Sequence, residues 1–271
     1  MKKKKKRRTS AFISFSVIYQ ALLLVLMYVP IAVVVVYSFN ASRHTTTWAG
    51  WTLDWYRKMA KNRSLLEALK NSIVLAVLSS GAAGIIGTLG AVGMARISWK
   101  TKGVVEYISM IPIMIPEIIL GMVFMAFFAM LGLPFGMVTL VIGHTTFCVP
   151  YVFMMVKSSL VGIDKSLVEA AKDLGASERR AFFDITLPLI TPAVISGMLL
   201  AFAMSLDDVV ISIFVTGART NTLPIRIYTQ LKSGVTPEIN ALCTIMLAAT
   251  FLLVVLSRWM GSRTGRKQGT S

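Results

Sequence analysis

The run Leu167-Val168-Glu169-Ala170-Ala171-Lys172-Asp173-Leu174-Gly175-Ala176-Ser177, followed by Ile185-x-Leu187-Pro188, is a polar stretch set between very hydrophobic segments. Ser166-x-x-Glu169 has the form of a capping box, which opens a helix by satisfying its first free amides. Gly175 can close that helix, because glycine tolerates the left-handed conformation just past a helix end. The spacing predicts a helix over 167–174, with a second short helix starting from Ser177. Leu167, Ala170, Ala171 and Leu174 share one face, and the two alanines let another surface come close. So short a helix is marginal alone and needs a partner to hold it, so the loop reads as a docking surface.

On either side of this loop the chain is too apolar for an ordinary soluble domain. It is 55% hydrophobic and 15% charged, with a mean hydropathy of +0.71. A spanning helix needs about 20 mostly apolar residues. Six windows meet or approach that length: 11–38, 71–95, 104–131, 135–156, 189–216 and 241–257. The expected fold is therefore an all-α membrane protein of six transmembrane helices.

Cytoplasmic loops near spanning helices keep Lys and Arg. With both ends inside, 19 of the 28 basic residues fall on the inner side, in 2–8, 96–102, 157–180 and 258–267. The assignment is N-in and C-in, with the docking loop cytoplasmic. It divides the chain into a basic cytoplasmic N-terminus (1–10), a six-helix transmembrane domain (11–257) containing the docking loop at 157–188, and a cytoplasmic tail (258–271). The net charge of +16 and the run Lys2–Arg8 come with no soluble basic domain, so nucleic-acid binding is set aside in favour of orientation and attraction to anionic membrane lipid. A cleavable signal peptide does not fit, because the first apolar stretch runs far beyond about 7–15 residues.

Cys148 and Cys243 read as small apolar packing residues. His44 and His144 show no metal-ligand spacing, and His144 reads as a hydrogen-bonded packing residue. With neither a P-loop nor a G-x-G-x-x-G pattern, the chain is expected to be no enzyme, with no catalytic or metal site and no cofactor of its own.

Trp48, Trp51, Trp55, Tyr56 and Met59 predict a short helix lying at the membrane surface. Ser64-x-x-Glu67 is a second capping box, placed to start the next span. Within that span Gly81, Gly84, Gly87, Gly90 and Gly93 recur every third residue. Such a stripe winds around the helix and suggests neighbours on several sides. Pro112 and Pro116 should kink the third span just before Glu117, while Pro188 and Pro192 mark the entry into the fifth. No duplicated half of the kind found in many secondary transporters is evident.

Acids inside a bilayer are costly, about 2.5–3.5 kcal/mol for a central Asp on an insertion scale. Asp207 and Asp208 lie past the middle of the fifth span, and Glu117 near the middle of the third. Adjacent residues point about 100° apart on a helix, so one aspartate can face a central pathway while the other bonds elsewhere in the protein. Together these acids suggest a route suited to a cation, whereas Glu106, nearer the cytoplasmic end, reads as structural.

The spacing Glu169-Ala170-Ala171-x3-Gly175-x9-Ile185-x-Leu187-Pro188 resembles the signature loop of permease subunits of bacterial ABC importers with the MetI-like transmembrane fold. Narrower resemblances lie in Ser205-Leu206-Asp207-Asp208-Val209-Val210-Ile211-Ser212-x-Phe214-Val215-Thr216-Gly217, in Leu223-Pro224-Ile225-x-Ile227-Tyr228, in Pro237-Glu238-Ile239-Asn240-Ala241, in Tyr37-Ser38-Phe39-Asn40 and in Gly143-His144-x-Thr146-Phe147-Cys148-x-Pro150. These resemble the C-type permeases of spermidine/putrescine importers, with Glu117 standing where Asp is expected. The resemblance implies a multi-pass protein of the bacterial inner membrane that moves polyamines by alternating access. It implies a second homologous permease, two ATP-binding subunits that use the ATP, and an extracytoplasmic polyamine-binding protein. Glu169, Ala170, Ala171, Gly175, Leu187 and Pro188 would couple to the ATPase, and Asp207, Asp208 and Glu117 would line the substrate path. The alternatives are an importer for a metal ion, thiamine or an organophosphorus compound, because fold does not fix solute, or a secondary transporter.

Overall fold

The computed structural model describes residues 2–43, 47–96, 102–234 and 236–265. His44 lies outside the described residues. In chain order the helices are α1 (Lys2–Tyr37), α2 (Asp54–Lys61), α3 (Arg63–Arg96), α4 (Lys102–Met114), α5 (Glu117–Met130), α6 (Met137–Val161), α7 (Lys165–Asp173), α8 (Glu178–Ala181), a π-helical turn (Phe182–Thr186), α9 (Leu187–Asp207), α10 (Val210–Val215), α11 (Leu223–Ser233) and α12 (Pro237–Gly265). An isolated antiparallel bridge joins Asn40 to Trp51. Helices close all their hydrogen bonds within one segment, the condition a bilayer imposes on spanning backbone.

Four stretches are long and apolar enough to cross a membrane: Ser16–Tyr37, Arg63–Ala95, Met137–Val161 and Glu178–Asp207. The pair α4 and α5 makes a fifth if taken as one path, bent by 101°. That break falls at Ile115 and Pro116, where the proline content of the third window anticipates it. The sixth window falls on α12, where Pro237–Ala249 forms a shorter apolar helix. The fifth window is not one continuous helix, because α9 stops at Asp207 and α10 restarts at Val210.

The chain divides into two compact units. One comprises Met1–Arg63 and Gln230–Ser271, and in it α12 packs against both α1 and α2. Asn40, fully buried, organises the turn after α1. Its amide nitrogen donates to the Thr47 carbonyl (2.7 Å), and its side-chain oxygen accepts from the Ala49 (2.9 Å) and Ser42 (3.2 Å) amides. Trp55 Nε1 donates to the Asn40 carbonyl at 2.7 Å. Trp55 and Met59, expected at the membrane surface, are therefore turned inward and buried, while Trp51 stays exposed. Burial with a partner for the indole N–H satisfies both ends of the tryptophan.

The other unit comprises Ser64–Thr229. Its core joins Leu75 and Ala83 of α3, Leu120, Phe124 and Phe128 of α5, Leu140, Val152 and Val156 of α6, Ile190 and Ala201 of α9, and Ile211 and Val215 of α10. α6 and α9 pack against each other along this core. They meet where Gly197 lies so near α6 that a Cβ there would come within 3.1 Å of the Val152 Cα. On α3, a Cβ at Gly87 would sit 2.9 Å from the Val152 Cβ and 3.0 Å from the Phe153 amide nitrogen. Gly84 faces Met198 and Gly90 faces the Phe153 ring, but Gly81 and Gly93 meet nothing within 4 Å. The stripe therefore packs along its middle three glycines only, and Ile85, Ile86 and Leu89 remain exposed on α3. α3 begins at Arg63, so Ser64 lies inside the helix and not at its cap.

Candidate functional site

The loop after α6 folds as its sequence asks, with one shift at its start. α7 begins at Lys165, and its cap is Asp164, whose carboxylate accepts from the Ser166 amide at 2.9 Å. Ser166 is thereby drawn into the first turn and is not the cap, because Asp164 holds the extended backbone that a cap needs. Bonds from the Ser166 amide and hydroxyl hold the Asp164 carboxyl below the usual carboxylate range. At the far end Gly175 has φ +88°. Its amide donates to the Lys172 carbonyl (2.9 Å) and that of Ala176 to the Ala171 carbonyl (3.0 Å), the paired bonds of a Schellman ending. Ser177 then caps α8, accepting from the Arg180 amide at 3.3 Å.

The helix from Ser177 is not short. α8, the π turn and α9 form one rod over Glu178–Asp207, 30 residues long. Leu187 and Pro188 open α9 directly after the π turn, with Leu187 against the core and Pro188 exposed. Proline has no amide to give to the helix ladder, and the π turn lies just ahead of it. On α7, Glu169 and Ala170 are exposed, Ala171 is half-buried, and Leu174 stands 90% exposed. Lys172 pairs with Glu178 at 2.8 Å, fastening α7 to α8. A cavity of about 290 Å3 beside them is lined by Glu169, Lys172, Val92, Leu160 and Ile163.

The three acids singled out from the sequence line one cavity of about 380 Å3, together with Phe147, Met204, Val209 and Val210. Each acid sits at a helix break. Glu117 is the first residue of α5, just beyond Pro116, and Asp207 is the last of α9. Both are exposed. A helix C-terminus carries partial negative charge on its free carbonyls, and broken helices whose C-terminal ends border a cavity are suited to cations. The end of α9, with Asp207 and Glu117, offers such a place.

Asp208 is different. Its side chain is only 6% exposed and lies 3.3 Å from Nε2 of His144, which is fully buried. Its two oxygens accept from the amides of Ile211 (3.3 Å) and Ser212 (2.9 Å). His144 Nδ1 lies 2.8 Å from Ser205 Oγ, and Nε2 lies 3.0 Å from Ser212 Oγ. Ser79 Oγ donates to Ser205 Oγ at 2.8 Å. With a ring proton on Nε2, Ser205 gives to Nδ1 and Nε2–H is shared between Ser212 Oγ and the Asp208 carboxylate. His144 is thus hydrogen-bonded packing, as its sequence setting suggests. Ser79, Ser205 and Ser212 belong to the same network without having stood out in the sequence. Glu106 is also structural, paired with Lys157 at 2.6 Å. Among the described residues no group of three or more His, Cys, Asp or Glu is placed to hold a metal ion.

Comparison with known proteins follows the same lines. The family described as binding-protein-dependent transport system inner membrane component matches residues 83–266. The spermidine/putrescine transport system permease protein PotC of Haemophilus influenzae is 42% identical over 232 residues, covering 86% of this chain and 90% of that protein. The putrescine transport system permease protein PotI of Escherichia coli is 39% identical over 250 residues, covering 89% of each. Among solved structures, a bacterial ABC transporter involved in the import of the acidic polysaccharide alginate superposes with a TM-score of 0.73 at 14% identity, over 93% of this chain and 96% of that one. The MetNI methionine ABC transporter gives 0.61 at 20% identity, over 75% and 95%. Those two likenesses concern the fold alone. With its match over residues 83–266, its 42% identity to a transport-system permease over most of both chains and its helical architecture, the chain belongs to the inner-membrane component family of binding-protein-dependent transport systems, as an ABC-importer permease subunit of the bacterial inner membrane and not an enzyme.

Proposed function

We propose that this permease moves polyamines, spermidine or putrescine, into the cell by alternating access. The observation that carries the reading is the cavity where Glu117 and Asp207 stand exposed at two helix breaks, in a chain so similar to permeases named for these solutes. A polyamine presents ammonium groups separated by methylenes. The carboxylates suit the charges, while Phe147 and Met204 suit the chain between them. Six spans with both ends inside put α7 on the cytoplasmic face, where its exposed leucines and Glu169 dock an ATP-binding subunit. Two such subunits use the ATP, a second homologous permease completes the path, and an extracytoplasmic polyamine-binding protein delivers the solute.

The test is ATP-dependent uptake of labelled putrescine and spermidine in a transport-deficient bacterium carrying this subunit with its genetic neighbours. Saturable uptake that Asp207→Asn weakens is the expected result. An assembled wild-type complex that takes up neither solute overturns the polyamine assignment and leaves the family standing.

A further inference from the structure

Asp207 and Asp208 are neighbours in sequence with opposite surroundings, and that difference carries an inference that rests on the cation route proposed above. In an unbroken helix the Ile211 amide would bond to the Asp207 carbonyl. Here the Asp208 carboxylate takes that amide and the next, at 3.3 and 2.9 Å. Asp208 itself adopts extended backbone, φ −64° and ψ 127°. Its side chain thus ends one helix and starts another. That carboxylate is held from behind by His144 Nε2 at 3.3 Å, on α6. The ring is fixed by Ser205 on α9 and Ser212 on α10, and Ser79 on α3 backs Ser205. The imidazole of α6, with no exposed surface, is thus held directly from α9 and α10 and, through Ser205, from α3.

We propose that His144 and Asp208 are positioning residues of the translocation path: they pin the break between α9 and α10, so that the end of α9 presents Asp207 to the cavity, and Asp208 does not itself meet the solute. Solute charge is met by Asp207 and Glu117. Asp208, though it lines the same cavity, spends its oxygens on protein donors.

The test has two parts, both on the assembled complex in membrane vesicles with Cys148 and Cys243 changed to Ala. In the first, Asp207→Cys and Asp208→Cys are treated with a cationic, water-soluble methanethiosulfonate. Asp207→Cys is expected to react at least about tenfold faster, following its exposure. In the second, uptake kinetics separate the roles. Asp207→Asn is expected to raise KM for putrescine about tenfold. His144→Leu is expected to lower Vmax by about tenfold with KM changed less than about twofold, the pattern of a lost positioning contact. His144→Gln, whose amide can still donate to Asp208, should recover much of that Vmax. Equal reactivity at both positions would overturn the proposal. So would a KM rise in Asp208→Asn or His144→Leu matching that of Asp207→Asn. The labelling needs no solute, so a wild-type complex that labels as expected but transports no polyamine would count against the substrate alone.

Discussion

At the residue scale, the structure turns on a few side chains whose neighbours leave no room for change. Gly87 is one. Any Cβ there meets Val152 and the Phe153 backbone, and backbone does not give way. Gly87→Val should cost about 1–3 kcal/mol as an overpacked contact, seen as a lower thermal midpoint of the purified protein in detergent. Gly93→Ala, six residues on with nothing within 4 Å, should leave that midpoint unchanged or slightly raised. Asp208 is another such residue. Asp208→Ala withdraws the acceptor from two amides and from a buried imidazole at once, and buried donors left unpaired cost about 1–3 kcal/mol each. The charge of Asp208 was legible in the sequence, but its direction was not. It depends on His144, Ser205 and Ser212, and the histidine lies 61 and 68 residues from those serines along the chain. No local pattern spans that distance.

At the scale of elements, breaks made by proline could be read in advance and the one made by a side chain could not. Pro112 and Pro116 announce the bend between α4 and α5, since proline lacks the amide a helix requires. Met204-Ser205-Leu206-Asp207-Asp208-Val209-Val210 holds neither proline nor glycine, and it reads as a helix carrying two expensive acids. The signal present was an aspartate followed by an apolar run, the pattern of a helix start. In the α7 loop two readings shifted: Asp164 and Ser166, two residues apart, are both good caps and the carboxylate won, and the helix from Ser177, expected to be short, runs on to Asp207. Asp164→Ala should loosen the first turn of α7, visible as faster amide exchange at Ser166 and Leu167. The Asp164 carboxyl is held below its ordinary range. Its stabilising contribution is therefore complete above the ordinary carboxylate value and is lost only as pH falls through the lowered one. Exchange at this cap should consequently show no change with protonation of Asp164 from neutral pH down to mildly acidic conditions. Gly175→Val places a β-branched residue at φ +88° and should cost about 1–2 kcal/mol locally, with weaker recovery of the ATP-binding subunits on purification.

At the scale of the whole molecule, the docking proposed for α7 raises the question of how that surface could act on acids far along the chain. Glu169→Lys reverses a charge on the exposed face of α7. It should leave membrane insertion intact while lowering co-purification of ATP hydrolysis several-fold, and normal recovery with normal uptake would contradict the docking role. The same loop leads, through Ser177, into the unbroken helical stretch Glu178–Asp207. At 1.5 Å per residue its 30 residues extend about 45 Å. A helix of that length behaves as a lever. Tilted by only about 5° about its loop end, it would sweep its far end through about 4 Å, enough to open or close the way past a carboxylate. Its last residue is Asp207, and the π turn at Phe182–Thr186 sits where such a lever would have its fulcrum.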